Sequence, residues 1–332
     1  MNPNDAMTRR GLLGRALGAA ALVSALDSAG QLVAQTPEPP ARIRDSFDFG
    51  WQFFKGDAPG AQQPAFAAAN WRSLDLPHDW SIEGPFSQNE SSGGSGGYAP
   101  TGIGWYRKGF RLPASYRDRK VSIEFDGVYQ NGEVWINGQY LGKRPFGYIS
   151  FAYDLTPHLN AGGDNVVAVK VDNSRQPGSR WYSGSGIYRH TWLVAMNPVH
   201  VAQWGTCVTT PHVSKDSAIV HVKTRVRNQT GAPAACTLIA AVVDREGKVV
   251  QTAETPQEIG PQAEYEFGQP LTVDKPTLWS VAAPYLYSVR ATVRVGSRVV
   301  DEYETPIGIR EAIFDTDRGF LLNGEQIGRA HV

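Results

Sequence analysis

The segment from Asp126 to Asp154, DGVYQNGEVWINGQYLGKRPFGYISFAYD, leaves the chain few folds to choose from. Val134 and Ile136 alternate with Glu133 and Trp135, so an extended backbone places the aliphatic pair on one face and the other two on the opposite face. Asn137-Gly138 follows at once, the dipeptide that best tolerates the two positive φ angles of a type I′ hairpin turn. Gln139-Tyr140-Leu141 then begins a return strand, and Gly142 ends it. The loop from Lys143 to Gly147 leads into Tyr148-Ile149-Ser150-Phe151, which alternates again. The expectation is an antiparallel sheet with an aromatic-rich face.

The remainder fits an all-β chain. Hydrophobic residues make up 41% and aromatics 11% of the 332 residues, enough for packed cores. The 35 glycines and 22 prolines imply many turns. Helical periodicity is scarce after residue 40. Lys+Arg and Asp+Glu are equal at 32 each, so no global field draws the chain to nucleic acid or to an anionic membrane.

Residues 42–198 read as one sandwich. Phe47-Phe49-Trp51-Phe53 alternates as a first strand, and Trp71 to Leu76 forms a short one. Residues 87–104 are Ser- and Gly-rich and form a long loop. Further strands are expected at 105–111, 121–125, 133–136, 149–153, 166–171 and 187–194, about eight in all, the count of a jelly roll. Residues 199–305 hold seven more, at 199–209, 218–228, 236–244, 248–255, 262–271, 287–295 and 298–303. Asp244-Arg245-Glu246-Gly247 makes a turn with Gly in the left-handed place. Seven strands in roughly 100 residues suit an immunoglobulin-like sandwich.

Residues 1–35 form a different object. Thr8-Arg9-Arg10-Gly11-Leu12-Leu13 is a twin-arginine pattern, followed by an Ala/Gly-rich, weakly apolar run to about Leu26. Arg15 and the small residues make it too polar to span a bilayer stably. An export signal is expected, with cleavage near Ala34 and a periplasmic or secreted destination, leaving no membrane attachment.

The phrase DGVYQNGEVWINGQYLGKRPFGY resembles the sugar-binding domain of glycoside hydrolase family 2, and most of all that of its β-galactosidases. LPHDWSIEGPF (76–86), TGIGWYRKGF (101–110) and SRWYSGSGIYRHTWL (179–193) resemble the same family in the same order. LWSVAAPYLY (278–287) is similar to a phrase of the family's second domain, departing from it at the first proline. PIGIREAIFDTDRGFLLNG (306–324) resembles the family's lead-in to its barrel. The resemblance implies a jelly roll and an immunoglobulin-like sandwich beside a catalytic (β/α)8 barrel that is missing here, apart from its lead-in at 306–326.

Chemistry is concentrated in loops. Arg180-Trp181-Tyr182 lies in a Gly/Ser-rich segment. Aromatic faces stack on the C–H surface of a sugar, and a guanidinium forks to two hydroxyls. The resemblance places this loop near the active-site mouth; alternatively Trp181 packs at a domain seam, the commoner fate of an aromatic there. Asp172-Asn173 end a strand and either bond sugar or fix the loop backbone. His78-Asp79-Trp80 is ambiguous in the same way, with turn fixing the commoner outcome. Arg180, Trp181, Tyr182, Asp79 and Asn173 are therefore the substrate-rim candidates.

No catalytic pair is expected in this chain. A retaining glycosidase needs two carboxylates about 5 Å apart, which the resemblance assigns to glutamates on the barrel. Cys207 and Cys236 both fall in strands of the second sandwich and read as two buried thiols, although an exported protein permits a bridge. The seven histidines show no metal-ligand spacing, and no metal or cofactor is expected. Residues 327–332, IGRAHV, are what ATC GGA AGA GCA CAC GTC encodes, the start of a common sequencing adapter. The expectation is a reading frame cut by adapter read-through.

The reading that follows is the N-terminal part of an exported, retaining β-galactosidase, with a β-galactoside as partner, a missing barrel and homo-oligomerisation open. The alternatives are a stand-alone carbohydrate-binding sandwich, a structural adhesion module, or a fragment of a β-glucuronidase or β-mannosidase.

Overall fold

The computed structural model describes residues 40–175 and 181–327, so the twin-arginine segment, Arg180 and the last five residues lie outside the described residues. The Asn137-Gly138 turn is as expected: φ is +50° at Asn137 and +82° at Gly138. It joins β6 (Gly132–Ile136) to β7 (Gln139–Arg144). Val134 and Ile136 are buried on the inner face, and Glu133 and Trp135 are half-buried on the outer one.

The hairpin ends a six-stranded antiparallel sheet. Its other members are β2 (Trp51–Lys55), β3 (Arg72–Leu74), β4 (Gly102–Phe110) and β9 (Asn165–Asn173), in the order β3-β2-β4-β9-β6-β7. A four-stranded sheet faces it, built from β1 (Ile43–Ser46), β5 (Lys120–Phe125), β8 (Phe151–Asp154) and β10 (Thr191–Met196), in the order β1-β10-β5-β8. The space between is filled by Trp51, Phe53, Tyr106 and Val169 from the larger sheet and Ile123, Phe125, Phe151 and Leu193 from the smaller. Because side chains alternate across each strand, one sequence face builds this core and the other faces outward.

Three sequence expectations change here. The expected first strand is broken in two: Phe47 and Trp51 are buried, but Phe49 is 65% exposed and Gly50 turns with φ +74°. Buried Asp48 makes the break, accepting the Thr191 amide at 2.7 Å and bonding His190 Nδ1 at 2.7 Å. Tyr148 and Ile149 are exposed turn residues, and the strand starts only at Phe151. Ile187 is fully buried yet lies outside β10. It follows Gly186, which exchanges two 2.9 Å backbone bonds with Tyr129. A Cβ at Gly186 would sit 2.5 Å from both the His78 carbonyl and the Tyr106 hydroxyl, so this crossing requires glycine. The sandwich thus has ten strands.

The second sandwich has the seven expected strands: β11 (Val199–Val213), β12 (Ser217–Asn228), β13 (Ala234–Val243), β14 (Val249–Ile259), β15 (Ala263–Asp274), β16 (Tyr287–Val295) and β17 (Arg298–Ile307). They form a three-stranded sheet, β11-β12-β15, and a four-stranded one, β14-β13-β16-β17. Gly247 takes φ +85° in the expected turn. Leu238, Phe267 and Val293 fill one part of the core, and Val220, Leu271 and Val289 another. The cysteines are both free; Cys236 is buried as expected but Cys207 is exposed, since its side of β11 faces out beside Lys223. Trp279 accepts from Asn323 through its carbonyl at 3.0 Å and lies 4.5 Å from the Arg310 guanidinium, a packing role.

Among the described residues, a buried ion pair ties the two sandwiches. Asp301 on β17 is fully buried and accepts Arg42 Nε at 3.0 Å and an Arg42 terminal nitrogen at 2.8 Å. It also accepts the Val201 amide at 2.7 Å. Beyond β17, residues 312–326 form a three-stranded meander, β18 (Ala312–Asp315), β19 (Gly319–Leu322) and β20 (Glu325–Gln326). Among the described residues no helix exceeds a single 3₁₀ turn and none could cross a membrane.

Candidate functional site

The loop between β9 and β10 is held from beneath by the very residues that sequence offered as rim candidates. Asp79 Oδ1 accepts the Ser81 amide at 2.9 Å and the Ser185 amide at 2.7 Å. Its other oxygen faces Gly184 so closely that no Cβ fits there. Asn173 is 1% exposed and donates to Ser185 Oγ at 2.8 Å and to the Gly184 carbonyl at 3.3 Å, while Gln130 donates to its Oδ1 at 3.3 Å. Through these bonds both side chains tie Gly184 and Ser185 to the sandwich beneath. They position the loop; Asn173 is buried and Asp79 half-buried.

His78 belongs to the same scaffold. Its Nδ1 meets the buried Tyr106 hydroxyl at 2.7 Å, and its Nε2 lies 3.2 Å from Glu83 Oε1. Arg72 donates to both Glu83 oxygens, at 2.7 and 2.8 Å. Burial lowers the His78 pKa despite Glu83, and burial drives the Tyr106 hydroxyl well above the usual phenol range. A neutral imidazole therefore joins the cluster.

What the scaffold presents is aromatic. Trp181 is 58% and Tyr182 75% exposed. Trp181 Nε1 donates to the Tyr148 hydroxyl at 2.6 Å, and the two rings meet edge to face at 5.9 Å. Tyr148 is the hub: Tyr129 lies at 5.2 Å, Phe146 at 5.7 Å and Tyr188 at 6.4 Å. Tyr182 rests against Gly97 of the long Ser/Gly loop. The sequence reading placed Tyr148 in a strand and so missed Tyr148 as the partner of Trp181 and Phe146 and Tyr129 around it; the signal was two rings, Phe146 and Tyr148, interleaved with Pro145 and Gly147. Such open rings with hydroxyl rims suit the C–H face of a neutral sugar. Arg180 lies outside the described residues. Among the described residues, no three His, Cys, Asp or Glu side chains gather as a metal site.

Residues 65–197 match the glycosyl hydrolases family 2 sugar binding domain, and residues 199–310 match the glycosyl hydrolases family 2 model that follows it. The chain belongs to glycoside hydrolase family 2. It is 47% identical over 285 residues to the beta-galactosidase BoGH2A of Bacteroides ovatus, covering 86% of this chain and 34% of that protein. A beta-glucuronidase of Formosa agariphila is 33% identical over 309 residues, covering 86% of this chain and 31% of its own length. A solved family 2 member from Bacteroides cellulosilyticus superposes with TM-score 0.82 at 36% identity, covering 86% of this chain and 37% of the other. The chain spans about a third of the length of these relatives.

Proposed function

We propose that this chain supplies the sugar-binding and immunoglobulin-like sandwiches of a retaining β-galactosidase that releases terminal β-galactosyl units. The observation that carries the reading is the 47% identity to a beta-galactosidase over 285 residues, against 33% over 309 residues to a beta-glucuronidase. In a double displacement one carboxylate attacks the anomeric carbon while a second protonates the leaving oxygen, then activates water against the glycosyl-enzyme. Both belong to the barrel in this proposal, and no side chain of the two sandwiches moves a proton. Their part is to hold Trp181, Tyr182 and Tyr148 as flat walls at the rim, with Asp79 and Asn173 fixing the loop. The uncharged character of those rings supports a neutral hexose. The twin-arginine segment supports export to the periplasm or beyond.

The test starts from the gene recovered from its source locus by a read across codon 326. The full enzyme is expected to cleave an aryl β-galactoside with kcat/KM at least tenfold above that for an aryl β-glucuronide, and the 332-residue chain to cleave neither. A preference for the glucuronide would sink the galactosidase assignment. Turnover by the short chain, above a mock preparation, would sink the division of labour.

A further inference from the structure

The seam between the two sandwiches holds polar groups that the Trp181 cluster does not share, and strand alternation puts them there. Val121 and Ile123 of β5 and Phe151 of β8 fill the first core. Lys120, Ser122 and Asp154 therefore project from the other side of that sheet, with Ser122 and Asp154 in register. Val199 and Val201 of β11 fill the second core, so His200 between them points out of it, beside its register partner Arg227 on β12. The two outer faces meet at a cavity of about 170 Å³ lined by Lys120, Asp154, His200, Gln203 and Arg227, with Ala152 and Met196 as its apolar wall.

These groups lack partners. His200 is 2% exposed, its Nδ1 donates to the Asn197 carbonyl at 2.7 Å, and burial lowers its pKa, which keeps the ring neutral. Its Nε2 lone pair is then an acceptor, and among the described residues nothing donates to it. Gln203 Nε2 is a buried donor with no acceptor. Lys120 forms no ion pair among the described residues. Arg227 turns its Nε to Glu264 at 2.7 Å and has further N–H groups to give. Asp154 accepts the Thr156 amide through Oδ1 at 2.9 Å and has a second oxygen over. Buried polar atoms are rarely left so, and such a set calls for an occupant.

We propose that this seam cavity binds a free α-amino acid, its carboxylate accepting from Lys120, Arg227 and Gln203 and its ammonium donating to His200 Nε2 and Asp154. The balance of charge selects a zwitterion. Lys120 and Arg227 stand against Asp154 in the lining and Glu264 on Arg227, so a lone anion or a lone cation would go half unmatched. A neutral polyol would cover both charged ends without answering either. At about 10–15 Å³ of such space per water, the cavity takes on the order of ten non-hydrogen atoms, enough for an aliphatic side chain against Ala152 and Met196. The contacts come from both sandwiches, so the ligand would brace the seam that Arg42 and Asp301 already hold. The inference is independent of which sugar the full enzyme cleaves.

The test is titration of the 332-residue chain with L-valine, followed by saturation-transfer NMR and calorimetry. Saturable binding is expected. It should weaken at least about tenfold for valinamide, which lacks the carboxylate, and for N-acetylvaline, which lacks the ammonium, because each loses charge-assisted bonds. Lys120→Met and Asp154→Asn should each weaken L-valine to a similar degree, with melting temperatures reporting that the fold is kept. Trp181→Ala should bind as the parent does. No saturable binding, equal affinity for either blocked form, affinity unaltered in either seam variant, or loss in Trp181→Ala would overturn the proposal.

Discussion

Replacing Arg42 by Met should loosen one sandwich from the other. The change removes both guanidinium contacts to Asp301, at 3.0 and 2.8 Å, and leaves a fully buried carboxylate with the Val201 amide, at 2.7 Å, as its remaining donor among the described residues. It also removes the Arg42 bond to the Val201 carbonyl at 2.6 Å and the cation–ring contact with Tyr303 at 4.9 Å. Stranding one partner of a buried pair costs about 3–5 kcal/mol. At about 2–3 °C per kcal/mol for a body of this size, the melting temperature should fall by about 6–15 °C. Calorimetry should show one endotherm in the parent separate into two, since the pair joins the segment before β1 to β17 of the other sandwich. In Arg42→Met/Asp301→Leu no charge is stranded, so the double variant should be more stable than Arg42→Met alone. Additive losses in the double variant, or a loss under about 1 kcal/mol in the single one, would refute the reasoning.

Lys108 donates to the Phe47 carbonyl at 2.8 Å, and burial lowers its pKa to about 8 despite Asp48 and Asp75. The unfolded lysine keeps its proton to about pH 10.4, so stability should rise between pH 8 and that value as the native amine becomes neutral. Lys108→Met should lack that rise when melting is followed against pH; an unchanged profile would count against it. Tyr106→Phe deprives buried His78 Nδ1 of its 2.7 Å partner and should cost about 1–3 kcal/mol in urea unfolding. A thiol reagent should titrate exposed Cys207 in the native protein and buried Cys236, whose pKa is raised by burial, only on unfolding. Equal rates for the two would contradict the placement of β11.

Local signals were legible in the sequence and long-range ones were not. The Asn137-Gly138 turn and the seven strands of the second sandwich follow from alternation and turn chemistry, which act between neighbours in the chain. The break at Gly50 hid because Phe49 continues the apolar alternation; it depends on Asp48 meeting residues 190 and 191. Trp181 was found, but its hub Tyr148 lies 33 residues away and looked like strand. The polarity of Asp79 and Asn173 is legible in the sequence, but their bonds to Gly184 and Ser185 are made by the fold and are not.

Arg107 offers a different lesson. It is 5% exposed on the outer face of β4 and donates to the carbonyls of Ala61, Gln63, Pro64 and Phe66. One guanidinium thereby gathers four main-chain acceptors of a segment that has no strand of its own. Every residue type carries a carbonyl, so exposed Gln63, Pro64 and Ala65 are free to drift in identity over evolutionary time, while buried Ala61 and half-buried Phe66, packed on Trp71, are not. Adding or deleting a single residue there would move the acceptors out of reach of a fixed fork. Related chains should accordingly vary in spelling at 63–65 while holding the length of the stretch.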